Sequence, residues 1–213
     1  MKYKAILFDM DGTLLDTLTD MADAVNHILS VHGWPLRTTE EVRTFVGNGA
    51  RRLMERAVPP EVTGGDFEAV LTEYRDWYQA HNCVATAPYP GIPALLAALA
   101  EAGIKTAVVS NKPDATTKTL AARFFPGLPV FGQRDDVPPK PAPDLVFRAL
   151  ETLGVDAADA VYVGDSEVDV ATARNAGLPL AAVSWGFRGR RALAEAGAAV
   201  IVDAAAELLE VLR

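Results

Sequence analysis

The spacing of hydrophobic residues changes within the first thirty positions of the chain. An apolar run of strand length covers residues 3–7 and leads into the polar motif at residues 8–14, with sequence FDMDGTL. Beyond it, hydrophobic residues recur at intervals of three and four through residues 18–32, until Gly33 and Pro35 interrupt the pattern. These spacings predict a buried strand followed by an amphipathic helix.

Three more helices are predicted before residue 88. The second is capped by Thr38 or Thr39, and the third follows a turn at residues 47–49. The fourth carries an aromatic and aliphatic stripe over residues 67–78, which core packing explains better than a cofactor site does. Residues 16–87 therefore read as a small helical module inserted after the first strand.

From Pro88 onward, strand and helix patterns alternate strictly. Helices are predicted over residues 91–102, from Pro113 onward, and over 143–153, 167–175 and 204–212. Strands are predicted over residues 104–109, 129–131, 160–163, 180–183 and 200–202. Strands joined by helices require right-handed crossovers, which give a parallel sheet covered on both faces. The sequence predicts a doubly wound α/β core formed by residues 1–15 and 88–213, with residues 16–87 as a second, helical domain.

Composition narrows the class of partner. Of 213 residues, 50% are hydrophobic and 23% charged, and the formal net charge is −8, which argues against nucleic acid or an anionic membrane as the main partner. The apolar run before Asp9 is too short for a signal peptide. The sequence also has no run of about eighteen apolar residues, which a membrane-spanning helix would need. Cys83 is the single cysteine, so an internal disulfide is excluded and a reducing cytoplasm is expected.

The motif D-x-D-G-T at residues 9–13 stands where the first predicted strand ends, which is where open α/β sheets bind ligands. An acidic calcium loop is a competing interpretation. Aligning Asp9 and Asp11 with its first and third ligands puts Leu14 at a position that requires glycine. Asp20 then stands where a bidentate glutamate is needed, so we set this interpretation aside. An acidic turn without chemistry remains the simpler alternative.

Three further polar groups follow other predicted strands or precede helices. They are Ser110-Asn111-Lys112-Pro113, Lys140-Pro141, and the segment from Gly164 and Asp165 to Asp169. Helix capping would explain the first group, and a solvated surface lysine would explain the second. Capping by Ser166 and Asp169 would explain part of the third, but it leaves Asp165 at the end of the strand unexplained. Carboxyl ends of parallel strands share one edge of a sheet, so we expect the groups to converge on one crevice.

The residue types in this crevice complement each other chemically. Carboxylates at Asp9, Asp165 and Asp169 suit Mg²⁺, which prefers oxygen ligands. The side chains of Ser110, Asn111 and Lys140 suit phosphate oxygens. A metal site alone would not need the lysine.

Together, the four motifs resemble those of the haloacid dehalogenase superfamily of phosphotransferases, in family order and across the whole chain. The resemblance implies that Asp9 is the nucleophile, forming an aspartyl-phosphate, and that Asp11 is the general acid and base. It implies that Mg²⁺ binds Asp9, the backbone carbonyl of Asp11 and Asp165, with Asp169 orienting a metal-bound water.

The resemblance also implies a phosphate-binding set and a cap. The transferring group would contact Thr13, Ser110, Asn111 and Lys140. The helical module resembles the α-helical cap of one superfamily branch, which closes over the site and selects the leaving group.

Within that branch, the segments at residues 45–49, 110–113 and 164–166 look most like those of phosphoglycolate phosphatases. By this analogy, the turn at Gly47, Asn48 and Gly49, with Arg51 or Arg52, would meet the non-phosphate end of the substrate. A plain helix–helix connection is the alternative for that turn.

The resemblance therefore implies hydrolysis of a small phosphorylated metabolite, with 2-phosphoglycolate first. Pyrophosphatase, nucleotidase, sugar-phosphate phosphatase and phosphohexose mutase activities stay open, as does a non-catalytic binding module. We expect a cytoplasmic monomer or homodimer that binds neither nucleic acid nor membrane.

Overall fold

The computed structural model describes residues 2–212. Within this range the strands are β1 Ala5–Phe8, β2 Leu15–Asp16, β3 Ala87–Pro88, β4 Lys105–Pro113, β5 Val130–Gln133, β6 Ala160–Gly164, β7 Leu180–Val183 and β8 Ile201–Val202. The helices are α1 Leu18–Val31, α2 Thr39–Phe45, α3 Gly49–Ala57, α4 Gly64–His81, α5 Ile92–Glu101, α6 Asp114–Phe124, α7 Asp144–Leu153, α8 Glu167–Ala176, α9 Gly189–Glu195 and α10 Ala205–Val211, with a 3₁₀ turn at Ala157–Asp159.

The main sheet is parallel, and β1 lies at its centre. The strand order is β5-β4-β1-β6-β7-β8, so the chain builds one half of the sheet on each side of β1. Phe8, at the end of β1, lies opposite Val108 on β4 and Val163 on β6. The carboxyl ends of these strands therefore meet beside β1, at a topological switch point. The predicted doubly wound α/β class is confirmed.

Both faces of the sheet are covered by helices. Ile6 and Phe8 pack into the cluster that includes α5, α6 and α10, whereas Ala5 and Leu7 pack into the cluster that includes α7 and α8. All four side chains are fully buried. A strand buried on both faces has no polar side, which is why β1 appears in the sequence as a continuous apolar run.

The helices α1 to α4 share a separate hydrophobic cluster, which Phe187 joins from the sheet side. Tyr74 and Tyr78 of the aromatic stripe are buried and stack with ring centroids 5.7 Å apart. Trp77 is partly buried and stacks against His27 and His81. This stripe packs the helical module, as the core interpretation predicts.

A short antiparallel ribbon joins the helical module to the sheet domain. In it, Leu15 of β2 pairs with Pro88 of β3, and Asp16 pairs with Ala87. The predicted domain boundaries fall in this ribbon, which the sequence did not predict because two-residue strands show no periodicity. The buried carboxylate of Asp20 accepts hydrogen bonds from backbone N–H groups of residues 84–86 and so fixes the returning chain.

Several element bounds differ from the prediction. Strand β4 continues through residues 110–112 to Pro113, which pairs with Gln133 of β5, instead of ending at residue 109. Pro113 and Pro143 were predicted to open helices, and each is instead the N-cap that precedes the first helical residue. Helix α9 was not predicted. No helix within residues 2–212 is long and apolar enough to cross a membrane.

Candidate active site

Asp9 is the first residue after β1 and lies on the floor of a cavity between the sheet and the helical module. Its backbone N–H donates to the carbonyl of Val163, which extends the sheet pairing by one residue. The turn that follows requires glycine. Gly12 has a φ of 82°, and a Cβ there would lie 2.4 Å from an oxygen of Asp165. The D-x-D-G-T motif thus brings Asp165 of the neighbouring strand against the turn.

Lys140 lies among carboxylates in the interior. Its Nζ donates to Asp169 Oδ1 at 2.8 Å and to the Tyr162 hydroxyl at 3.0 Å. It also lies 3.0 Å from Asp9 Oδ1, where the angle suits an ion pair but not a hydrogen bond. Burial works to lower the pKa of Lys140, but the carboxylates of Asp169 and Asp9 outweigh it and raise that pKa well above its usual value. Lys140 is therefore a fixed cation beside Asp9.

Asp9, Asp165 and Asp169 form a buried carboxylate cluster in which one oxygen of each lies within 4.8 Å of the others. Asp165 accepts hydrogen bonds from Thr13 Oγ1 and the Phe187 N–H, and Asp169 accepts from Ser166. These bonds fix the carboxylates in place.

The cluster carries the electrostatic signature of a cation site. Burial, with the charges of Asp169 and Asp11, raises the pKa of Asp9 to about 7 against the opposing charge of Lys140. Burial also raises the pKa of Asp165 well above its usual value. Oδ1 of Asp9 is buried and accepts no hydrogen bond from any residue in the range 2–212. Three buried carboxylates beside one ammonium group leave an excess of negative charge on oxygen ligands, which fits Mg²⁺.

Asp11 lies at the cavity wall and has two partners. Its Oδ1 accepts a hydrogen bond from Thr17 Oγ1 at 2.7 Å, and its Oδ2 lies 3.2 Å from Lys112 Nζ. The Lys112 ammonium also donates to the hydroxyl of Tyr78 on α4, at 2.8 Å. Asp11 thus contacts the start of the helical module through Thr17 and the end of β4 through Lys112.

The predicted phosphate-binding residues line the cavity, position neighbouring groups, or do both. Ser110 lines the cavity. The amide of Asn111 accepts from the Lys140 N–H and donates to the carbonyls of Lys140 and Gly47, so all its hydrogen-bonding groups are used. Thr13 donates to Asp165. Asn111, which also lines the cavity, and Thr13 thus use their side chains to position neighbouring groups, and their contact with phosphate stays a prediction.

The turn at residues 47–49 lies over the cavity, and its predicted contacts with substrate stay predictions. Gly47 and Gly49 line the cavity. Asn48 accepts a hydrogen bond from Arg56, and the exposed Arg51 is bound by both carboxylate oxygens of Glu68, at 2.8 and 2.7 Å. Because Arg51 turns towards α4 at the surface, its guanidinium does not line the cavity.

Arg188 was missed as a functional candidate. Its Nε donates to Glu167, and its two terminal nitrogens donate to the carbonyls of Arg43 and Val46 at the end of α2. It thereby ties the loop after β7 to the helical module. Sequence patterns gave no indication, since its partners are largely backbone carbonyls.

The cavity has a volume of about 340 Å³. Asp9, Asp11, Ser110 and Asp165 form its polar end. Away from them the wall is mainly apolar and includes Met21, Val46, Leu53, Tyr74, Tyr78 and Phe187. The arrangement suits a ligand with one strongly charged end and a small remainder.

Comparison with known proteins agrees with this geometry. Residues 6–183 match the model of the haloacid dehalogenase-like hydrolase family. An N-acetylmuramic acid 6-phosphate phosphatase of Pseudomonas aeruginosa is 37% identical, over 100% of this chain and 96% of its own length. A plasmid-encoded phosphoglycolate phosphatase of Cupriavidus necator is 38% identical, over 93% of this chain and 88% of its own.

Solved structures share the whole fold. A protein from Lactobacillus delbrueckii subsp. bulgaricus is 37% identical with a TM-score of 0.94, covering 100% of this chain and 99% of its own. A predicted phosphoglycolate phosphatase from Haemophilus somnus is 27% identical with a TM-score of 0.92 and the same coverage. With its family model, its relatives and its carboxylate cluster at the end of β1 in agreement, the chain belongs to the haloacid dehalogenase-like hydrolase family.

Proposed function

We propose that the protein is a Mg²⁺-dependent phosphomonoester hydrolase that works through an aspartyl-phosphate on Asp9. The observation that carries this proposal is the placement of Asp9 and Asp11 together at the polar end of the cavity, with Lys140 against Asp9. Asp9, Asp165 and the backbone carbonyl of Asp11 would hold Mg²⁺, and Asp169 would support them. The bound ion would offset negative charge on the phosphoryl oxygens.

In the first half-reaction, a carboxylate oxygen of Asp9 attacks phosphorus as the bond from phosphorus to the ester oxygen breaks. Asp11 gives its proton to the departing oxygen. In the second, Asp11 takes a proton from water as the water oxygen attacks phosphorus, which releases inorganic phosphate and restores Asp9. Lys140 and Ser110 stabilise charge on the transferring group.

The leading substrate is 2-phosphoglycolate. The phosphoglycolate phosphatases among the relatives support it, with 34% identity for the protein of Pseudomonas savastanoi and 38% for that of Cupriavidus necator. The cavity of about 340 Å³ lies at the small end of the range of roughly 300–1,000 Å³ usual for ligand sites, which suits a short substrate. The mutase, nucleotidase, pyrophosphatase and other sugar-phosphate activities stay open as alternatives.

The second candidate is N-acetylmuramate 6-phosphate. It is favoured by the 37% identity to the Pseudomonas aeruginosa phosphatase, which this chain matches over nearly its whole length. Both candidates are phosphomonoesters that also carry a carboxylate.

A phosphate-release screen with and without Mg²⁺ tests the proposal. It would compare 2-phosphoglycolate, N-acetylmuramate 6-phosphate, pyrophosphate, nucleoside monophosphates, sugar phosphates and a generic aryl phosphate. We expect Mg²⁺-dependent turnover that Asp9→Asn abolishes, with 2-phosphoglycolate among the best substrates by kcat/KM. Turnover retained by Asp9→Asn would rule out Asp9 as the nucleophile. No turnover of any ester would favour a binding module. Cytoplasmic location and the monomer-or-homodimer state stay predictions.

A further inference from the structure

Lys112 is a buried cation that is not among the residues we assign to phosphate binding. Its side chain is only 3% exposed, yet it lines the cavity. Its ammonium group has three N–H donors, and one of them is used by the Tyr78 hydroxyl. Asp11 Oδ2, at 3.2 Å, is close enough for an ion pair, but the geometry is not that of a hydrogen bond. Lys112 therefore retains donor capacity towards the cavity.

The other cations that line or adjoin the cavity are differently placed. Lys140 lies behind Asp9 and is held by Asp169 and Tyr162. Arg188 is occupied by Glu167 and by two carbonyls of the helical module. Arg75 lines the cavity from α4 but is exposed. Lys112 thus combines burial with a position beside Asp11, the group that meets the departing oxygen.

The position of Lys112 sets what the leaving group must contain to reach it. A general acid lies about 2.6–3.2 Å from the oxygen that it protonates. With Lys112 Nζ 3.2 Å from Asp11 Oδ2, the ester oxygen and Nζ would be no more than about 6 Å apart. A carboxylate carbon two bonds of about 1.5 Å from the ester oxygen places its own oxygens within that gap, at hydrogen-bonding distance from Nζ.

The surroundings of Lys112 would make this contact strong. Tyr78 and Tyr74 are buried, and Phe187 and Leu53 line the same cavity, so the interaction takes place in a poorly hydrated space. Burial, together with the charge of Asp11, raises the pKa of Tyr78 well above its usual value, so the hydroxyl next to Lys112 stays neutral. A substrate without an anionic group would leave the ammonium with Asp11 as its nearest charge.

We propose that Lys112 binds a carboxylate on the leaving group of the substrate, one carbon from the ester oxygen, and so selects for short 2-phosphoryloxy acids. This inference rests on the proposed phosphatase function. It assigns the choice of substrate to the end of β4, a strand of the sheet domain, and not to the turn at residues 47–49.

The test compares two substrates of equal length, 2-phosphoglycolate and 2-hydroxyethyl phosphate, which differ in whether the second carbon is a carboxylate. We expect Lys112→Met to lower the ratio of their kcat/KM values by about 10- to 100-fold, the range for a hydrogen bond to a charged group. Comparing ratios cancels any effect of the substitution on Asp11 that both substrates share. Lys118→Met removes an exposed lysine outside the cavity, and Arg75→Met removes the exposed cation at its wall. We expect both controls to leave the ratio unchanged.

A second pair, N-acetylmuramate 6-phosphate and N-acetylglucosamine 6-phosphate, differs by a carboxylate much farther from the ester. Lys112→Met should leave the ratio for this pair unchanged. The inference is overturned if Lys112→Met lowers turnover of 2-phosphoglycolate and 2-hydroxyethyl phosphate equally, or if only Arg75→Met changes their ratio. It is also overturned if only the muramate pair responds.

A binding measurement separates this inference from the proposed function. In an Asp9→Asn background with Mg²⁺ present, calorimetry should show that Lys112→Met weakens 2-phosphoglycolate binding by a similar factor and leaves inorganic phosphate binding unchanged. Equal binding of 2-phosphoglycolate with and without Lys112 overturns the inference, whatever the turnover assays show. If Lys112→Met does not fold, Tyr78→Phe removes the hydroxyl that positions Nζ and should lower the same ratio by a smaller factor.

Discussion

Asn111 and Lys140 are joined by a reciprocal pair of hydrogen bonds. The Lys140 N–H donates to Asn111 Oδ1 at 2.7 Å, and Asn111 Nδ2 donates to the Lys140 carbonyl at 3.0 Å. The pair fixes the backbone that carries the active-site lysine to the end of β4. The same Nδ2 donates to the carbonyl of Gly47 at 3.2 Å, so one amide connects the Lys140 backbone and the helical module.

Replacing Asn111 with alanine should therefore misplace Lys140 without removing it. We expect kcat to fall by about 10- to 100-fold, as small displacements of positioning groups do. Asn175→Ala is the matched control, because Asn175 donates to the carbonyl of Pro141 in the same loop but is exposed. Steady-state kinetics on both variants checks this, and equal effects would contradict a specific role for Asn111.

Asp11→Asn should separate acid–base chemistry from metal binding. The side chain of Asp11 is bound by Thr17 and Lys112 and lies outside the carboxylate cluster. We expect kcat to fall by about 10²–10⁴-fold, the usual contribution of a general acid and base, while Mg²⁺ affinity by calorimetry stays near that of the unchanged protein. Complete loss of Mg²⁺ affinity would argue against the acid–base role.

Removing divalent metal should make stability depend on pH. Burial raises the pKa of Asp9 from 3.8 to about 7 in the folded protein. Protonated Asp9 therefore adds to the free energy of unfolding in full below about pH 4, and this contribution is lost as pH rises through 7. The loss is on the order of a few kcal/mol. Mg²⁺ would compensate for the ionised cluster, so the increase in Tm on adding Mg²⁺ should be larger at pH 8 than at pH 5.

Thermal melts in chelator and in Mg²⁺ across that range measure this dependence. Asp9→Asn should reduce the dependence of Tm on pH in chelator, because it removes one of the two buried carboxyl groups whose pKa is raised. An increase in Tm of equal size at both pH values would show that the cluster is not the site at which Mg²⁺ acts.

Arg188→Met should loosen the contact between the helical module and the loop after β7. Arg188 supplies hydrogen bonds to the carbonyls of Arg43 and Val46, and Val46 lines the cavity. We expect KM to rise by about tenfold and hydrogen exchange near residues 43–47 to increase. Arg190 lies two residues after Arg188 and forms an exposed ion pair with Asp203. Arg190→Met should therefore change neither KM nor hydrogen exchange near residues 43–47. Unchanged hydrogen exchange near residues 43–47 in Arg188→Met would show that Arg188 does not hold the helical module against this loop.

Sequence alone located the groups that directly follow a strand. Asp9 and Asp165 could be assigned to one crevice because parallel strands end at a common edge, and the apolar runs before them mark those ends. The partner of a side chain could not be predicted in the same way. Arg51 follows a turn over the cavity, but the direction of its side chain depends on the phase of α3 and on the position of Glu68.

Contacts to backbone atoms are harder still to infer. Arg188 binds carbonyls about 145 residues away, and Asn111 is satisfied by Lys140 main-chain atoms. A carbonyl is present at every residue, so the sequence carries no mark of which one is used. Such contacts appear only when the fold is known.

The ribbon of β2 and β3 determines how the helical module can move. The chain leaves the sheet domain and returns to it through strands that pair residue by residue, so both crossings lie on nearly one line. A module attached along one line rotates most easily about that line. Admission of substrate then needs no rupture of the main sheet. It needs the release of contacts between the module and the sheet domain, among them those from Asn111 to Gly47, from Arg188 to Val46 and from Lys112 to Tyr78. Asn111 and Lys112 both belong to β4, so the strand that ends beside Asp9 and Asp11 also bonds to the helical module when the module is closed.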